Sequence, residues 1–225
     1  RVQRIRPDVF AVDGTPADCI YLAMKRFLPR VPDLIVSGMN PGPNLGQQDV
    51  SYSGTVSAAI QGTFFLVPSM AVSLIADSDG VFHFKESSRV VRDLAAVLLK
   101  HGLPDGVTLN INIPPPPVRG LRVTNVGIKR YDPEVIEKKD PRENSYYWIG
   151  RGNPRTLGGP DSDVGAAHDG YISMTPLRLD LTDYKAMTLP LMTKLRTALT
   201  GTSGVRPSSS GVSALRRRRA RAKSQ

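Results

Sequence analysis

Apolar positions in this chain fall into short β-branched runs that alternate with amphipathic stretches. Val9, Phe10, Ala11 and Val12 read as a strand stopped by the turn signal Asp13-Gly14. Thr15-Pro16-Ala17-Asp18 marks a helix start: a hydroxyl N-cap, Pro at the first helical position and an acid in the first turn. Ile20, Ala23, Met24, Phe27 and Leu28 then recur on one face. Asp33-Leu34-Ile35-Val36 predicts a buried strand. Residues 37–52 place Gly38, Gly42 and Gly46 among Asn40, Pro41, Pro43 and Asn44, which predicts a long ordered turn, because Gly permits positive φ and Asn tolerates it. Ser53-Gly54-Thr55 opens a helix carrying Val56, Ala58, Ala59 and Ile60.

Residues 68–75 and 107–113 predict further strands, the second with alternation and ended by a run of four prolines. Between them, residues 84–101 form an amphipathic helix with Val90, Val91, Leu94, Val97 and Leu98 inward. Residues 121–126 predict another strand. Strands alternating with helices imply a parallel sheet covered on both faces, with ligands at the carboxyl ends of its strands. The loop after Val36 lies at such an end. The texture changes at Tyr131. Residues 131–170 read as an irregular or β-hairpin arm with the cluster Tyr146-Tyr147-Trp148, which suits a stacked base or an interface or core cluster. A strand at 171–174 and a helix starting near Leu189-Pro190 follow. The expected organisation is an α/β core at 1–130, an arm, strand and helix at 131–199, and a disordered basic tail at 200–225.

At 225 residues and 40% hydrophobic, the chain can bury one core. Its single cysteine, Cys19, excludes an intrachain disulfide and fits a reducing, cytoplasmic setting. Within its helix Cys19 reads as a small buried hydrophobe, not a nucleophile. No apolar run reaches the ~18 residues of a membrane span. Net charge is +10, but seven positive residues and no acid lie in 200–225, leaving +3 elsewhere. The tail reads as a solvated extension in preference to a nucleic-acid contact, since no aromatics are interleaved with its arginines. The three histidines have no zinc spacing, and His101 reads as a helix C-terminal residue.

A strand, a Gly/Asn loop and a Ser/Thr-headed helix together suit an anion. The first helical turn has unpaired N–H groups and the positive end of the macrodipole. No Lys occupies a P-loop position and G-x-G-x-x-G spacing is absent. A glycine-rich βα connection without ligand is the alternative.

Four segments carry a resemblance. They are Gly14-Thr15-Pro16-Ala17-Asp18-Cys19; Asp33 to Asn40 with Gly42, Asn44-Leu45-Gly46 and Tyr52-Ser53-Gly54-Thr55-Val56; Tyr146-Tyr147-Trp148-Ile149-Gly150; and Gly170 to Leu177. In this order they resemble the survival protein E (SurE) family of metal-dependent 5'/3'-nucleotidases. The resemblance implies a Rossmann-like three-layer α/β sandwich with a mostly parallel sheet and a C-terminal β-rich dimerisation arm. It implies hydrolysis of nucleoside monophosphates, a divalent cation (Mg2+ or Mn2+) in each subunit, and a homodimer or homotetramer. It places a metal ligand at Asn40, whose other reading is a turn residue bonding its own backbone. It places phosphate-holding groups at Asn44, Ser53, Gly54 and Thr55, and Asp180 near the active site, with Tyr184 where a His can stand. The loop departs from the pattern: it is one residue longer before Tyr52, and Gln47 replaces a common acid. The family's adjacent Asp pair and Ser ligand belong to an opening segment absent from this chain, which begins at Arg1 and has no Asp-Asp dipeptide. The chain is therefore expected to lack its N-terminal segment. A catalytically incomplete nucleotide- or nucleic-acid-binding relic is the alternative function.

Overall fold

The computed structural model describes residues 1–150, 152 and 154–200. A hairpin of β1 (Val2–Arg6) and β2 (Val9–Val12) opens the chain. β2 is the predicted run. β1, where arginines interrupt the apolar pattern, pairs through its backbone while all five residues stay exposed. α1 (Pro16–Leu22) begins with a capping box: Thr15 Oγ1 accepts from the Asp18 N–H at 3.2 Å, and the Asp18 carboxylate accepts from the Thr15 N–H at 2.8 Å. Those Thr15 backbone and hydroxyl donors hold the Asp18 carboxyl below its ordinary value. A π-helical turn, Ala23–Phe27, follows α1.

Next in order come β3 (Ile35–Pro41), α2 (Gly46–Tyr52), α3 (Gly54–Phe64), β4 (Ser69–Leu74), α4 (Phe84–His101) and β5 (Val107–Ile113). They are followed by β6 (Leu121–Val123), β7 (Ile128–Arg130), β8 (Val135–Lys139), β9 (Ser145–Ile149), β10 (Arg155–Leu157), α5 (Asp163–His168) and β11 (Ile172–Arg178). The main sheet has the order β3-β4-β5-β11-β6. β3, β4 and β5 run parallel, β11 is antiparallel to β5, and β6 is parallel to β11. With helices on its faces and mostly parallel pairs, this is the expected Rossmann-like α/β arrangement.

The two faces of the sheet differ in chemistry. Met70, Val72 and Leu74 of β4 and Leu109, Ile111 and Ile113 of β5 form one apolar face, on which Val90, Val91, Leu94 and Leu98 of α4 pack. Fully burying each such side chain contributes about 1.5–3 kcal/mol. The opposite face carries Ser69, Ala71, Ser73, Thr108, Asn110 and Asn112, all 0% exposed. α3 packs on that face through Val56 and Ala59, which meet Ala71. Near the end of α3, Thr63 and Thr108 join their hydroxyls at 2.5 Å. Gly62 lets the helix approach: a Cβ there would lie 2.7 Å from Ile35 Cδ1 and collide with the Ser69 hydroxyl.

Several expectations are corrected. Residues 37–52 are not one long turn: β3 continues to Pro41, and α2 occupies Gly46–Tyr52. The extension forms because Asn40 and Pro41 still pair with Ser73 and Leu74 after a register shift. The strand expected at 121–126 stops at Val123; beyond it, Asn125 makes only an isolated bridge to Ser162. Within 131–170 the expected hairpin is present as β8 and β9, but β10 also pairs with β7, and Ser162 caps the unexpected α5. β11 runs to Arg178, beyond the expected end at 174, because β5 offers it a full-length antiparallel partner.

A second compact unit begins at Leu181. It contains a 3-10 turn, Ala186–Thr188, and α6 (Pro190–Thr200), which starts on its proline as expected. Leu191 and Leu195 of α6 are exposed. The tail expected to be disordered lies outside the described residues.

Replacing Gly62 by Ala should destabilise the protein by about 1–3 kcal/mol, the usual cost of overpacking. Urea unfolding should show a lower midpoint with an unchanged slope.

Candidate functional site

The carboxyl half of β3, which leads into the loop, makes a close approach of backbones. Gly38 has φ +118°, and a Cβ there would run into the Val72 carbonyl oxygen. No other residue fits. Gly42, at φ +135°, donates its N–H to Leu74 O at 3.1 Å. Asn40 Nδ2 donates to Gly42 O at 2.7 Å. That bond commits the amide nitrogen to the turn and leaves Oδ1 as the atom suited to a cation. The turn role of Asn40 and its expected ligand role would thus use different atoms.

Asn44 is buried beneath the loop. Its N–H donates to Asn112 Oδ1 at 2.8 Å. Its carbonyl accepts from Asn110 Nδ2 at 2.9 Å and Asn112 Nδ2 at 3.1 Å. Its own Nδ2 donates to Ser73 Oγ at 2.6 Å. The structure therefore places Asn44 as an anchor under the loop, with its amide nitrogen and peptide already engaged.

α2 is tethered on its other side. The Gly46 N–H donates to Asp163 Oδ2 at 2.9 Å, while Asp163 Oδ1 accepts from the N–H groups of Gly127 and Val164, both at 2.8 Å. Asp163 is fully buried, and three backbone donors satisfy its carboxylate. Lys129 Nζ meets Asp49 Oδ2 at 2.6 Å, with both side chains only 11% exposed. Burial pushes the Lys129 ammonium down, but Asp49 and the neighbouring Tyr131 outweigh it and hold the group above its ordinary value. The Gln47 N–H donates to Gly127 O at 2.8 Å, and the Tyr131 N–H to Gln48 Oε1 at 3.1 Å. The segment leading to Tyr52 is thus a pinned helix.

Ser53, also buried, caps α3: its Oγ accepts the Val56 N–H at 3.1 Å. The N–H groups of Gly54 and Thr55 fall in the first turn, where a helix offers them no internal partner, at the positive end of the dipole. Both residues are half-buried. Gly54 lies against the start of α1, since a Cβ there would be 2.9 Å from Pro16 Cγ. Two distant motifs, around Thr15-Pro16 and Ser53-Gly54-Thr55, therefore meet.

Asp180 is not brought to this end of the molecule. β11 returns antiparallel to β5, pairing Arg178 with Val107, and the Leu179 N–H reaches Gly106 O at 3.1 Å. Asp180 therefore follows the end of the sheet opposite Asn40, which corrects its expected place near the site. Cys19 is half-buried in α1 instead of fully buried. Sequence reasoning missed Asn110, Asn112, Ser73, Lys129 and Asp163. The available signal was Asn110 and Asn112 at i and i+2, two polar residues on one side of a strand expected to be covered on both faces.

Comparison with known proteins agrees with this fold. The family model described as "Survival protein SurE" matches residues 1–133. The 5'-nucleotidase SurE of Syntrophotalea carbinolica is 44% identical over 186 residues, covering 83% of this chain and 74% of that protein. The 5'/3'-nucleotidase SurE of Proteus mirabilis is 44% identical over 185 residues, covering 81% and 71%. The crystal structure of the SurE protein from Aquifex aeolicus superposes with a TM-score of 0.70 at 36% identity, covering 88% of this chain and 79% of that one.

Removing the α3 cap with Ser53→Ala should lower stability by about 1 kcal/mol, and Ser53→Gly by only a few tenths; thermal melts compare them. A raised Lys129 pKa contributes stability that is fully present below the ordinary lysine value of about 10.4 and lost as pH rises through the folded value. Urea titrations across pH 9–12, roughly spanning that value, should show this decline in the wild type and not in Lys129→Met. That variant should also be about 1–3 kcal/mol less stable at neutral pH.

Proposed function

The chain belongs to the survival protein SurE family, and from that premise we propose that it is a nucleotidase, hydrolysing nucleoside 5'-monophosphates, and 3'-monophosphates, to nucleoside and phosphate. One observation carries the reading: the Gly54 and Thr55 N–H groups that open α3 stand at the end of a loop whose shape is fixed by buried hydrogen bonds. In this proposal the N–H groups of Gly54 and Thr55 receive phosphoryl oxygens, and small residues let the anion approach the backbone. Ser53 supports them through its cap, and Asn44 supports the loop from below. Because these donors are held in place before substrate arrives, charge developing on the phosphoryl group meets a preorganised field.

A bound divalent cation would supply further charge compensation and an activated water. Mg2+ and Mn2+ take oxygen ligands, usually including carboxylates. Asn40 Oδ1 suits one such position. Among the described residues, no three of His, Cys, Asp and Glu gather where they could hold a metal. The donors described do not complete a shell for either ion. In a second reading the chain binds a nucleoside monophosphate through the same α3 N–H groups without turning it over.

The β8–β9 hairpin, with Tyr147, Trp148 and Ile149 each more than 60% exposed, serves in this proposal as the arm of a homodimer or homotetramer. A cytoplasmic setting fits the single free cysteine. Among the described residues, no helix is long and apolar enough to cross a membrane.

Phosphate release from AMP and GMP should require Mn2+ or Mg2+ and stop on chelation. Asn40→Ala should lose at least about tenfold in activity with a weakened metal dependence; unchanged kinetics would remove Asn40 from the site. Calorimetric binding of AMP with no phosphate release identifies the second reading. Trp148→Glu should shift the protein toward monomer in sedimentation; an unchanged profile rules out the hairpin as the interface.

A further inference from the structure

We infer that Asn112 is a positioning residue for phosphoryl binding, acting through the peptide of Asn44. This rests on the reading of the β3–α3 loop as a phosphoryl site. The Asn112 carboxamide gives Asn44 one acceptor and one donor, Oδ1 to its N–H at 2.8 Å and Nδ2 to its carbonyl at 3.1 Å. A paired β-strand residue makes the same exchange with its neighbour. Asn112 therefore treats the loop as a further strand laid over the face of the sheet. Asn110 Nδ2 adds a second donor to the same carbonyl at 2.9 Å.

The anchor point is rigid. β5 is the central strand of the five, and Asn112 stands in register with Ser73 of β4 and Ser173 of β11. Asn110 and Asn112 are 0% exposed, so water does not compete for these bonds. The sheet taken by itself does not call for this polar layer; the loop laid over it does. β5 already buries Ile111 and Ile113 on its other face, whereas the carboxamide face of the sheet leaves Asn110 Oδ1 and, on β11, Ser173 Oγ without partners among the described residues. Unpartnered buried polar atoms are costly. The same side chains do fix one loop residue between Asn40, with its Oδ1 available, and α2, which leads directly into the cap of α3.

The test uses the full chain and inorganic phosphate as probe, with and without Mn2+, read by calorimetry and by 31P NMR line broadening. Asn112→Ala and Asn112→Asp should weaken phosphate at least about tenfold, as loss of an outer-shell partner does. Asn110→Ala, which keeps the two-point pair, should weaken it less. Ile113→Ala, a truncation on the opposite face of the same strand, controls for lost stability: it should lower the melting temperature while retaining phosphate affinity. Thr55→Pro deletes one helix-end donor at a position where Pro is tolerated. In that background Asn112→Ala should cost less than about twofold, because coupled groups are not additive. Equal phosphate losses in Asn112→Ala and Ile113→Ala, or additive losses with Thr55→Pro, overturn the positioning role and leave the phosphoryl site standing. Should the Asn112 variants not fold, Asn110→Ala decides: wild-type affinity overturns the role and weakened affinity supports it. A wild-type chain that binds no phosphate, or binds it as well as Thr55→Pro does, overturns the phosphoryl reading and this inference with it.

Discussion

The peptide of Asn44 is buried, and a buried N–H or C=O without a partner costs about 1–3 kcal/mol. Ordinary strand pairing cannot satisfy it, because the loop crosses over the sheet instead of joining its edge. The solution is a pair of carboxamides on β5 that reach up from the sheet face, with the Ser73 hydroxyl holding the Asn44 side chain. Much else follows from this constraint. The face under the loop must be polar and small, so β4 carries Ser69, Ala71 and Ser73 there and leaves its large residues for α4. α3 can then pack closely through Ala59 and Gly62 and bring its first turn to the end of the loop.

The outer side of the loop is held by charge. Asp163 and the Asp49–Lys129 pair connect α2 to α5 and β7, and neither is exposed enough for water to replace it easily. A carboxylate with three backbone donors and an ion pair in a poorly solvated setting are both directional and hard to exchange. The segment from Asn44 to Tyr52 is thus fixed from two sides. That geometry suits a site whose donors must be in place before a ligand arrives.

Much of the architecture was legible along the chain. The helix at Phe84–His101 and the strand at Val107–Ile113 have the expected bounds, because each buries an apolar face; Val97, expected inward, is instead 56% exposed. The caps at Thr15 and Ser53 were legible because capping needs only a few adjacent residues. The Rossmann-like class followed from strands alternating with helices and from the resemblance. The strand β1 and the helices α2 and α5 were not legible: they are short, without a strong apolar period, and stabilised by partners distant in sequence. Asp180 was misplaced because its position depends on the direction of β11, which local pattern does not specify.

The sequence by itself determined the types of the longer elements, the starts of α1, α3, α4 and α6, the glycine positions that demand unusual backbone, and the family. These depend on neighbours a few residues apart, or on motifs that can be read in order. Only the tertiary structure decided which polar residues are structural. Asn110 and Asn112 become an anchor when Asn44 is folded onto them, and Asp163 becomes one when Gly46 and Gly127 meet it. Hydrogen bonds between residues far apart in sequence exist only after the chain has closed. The chemistry of a side chain states what it can donate or accept, and the fold chooses its partner.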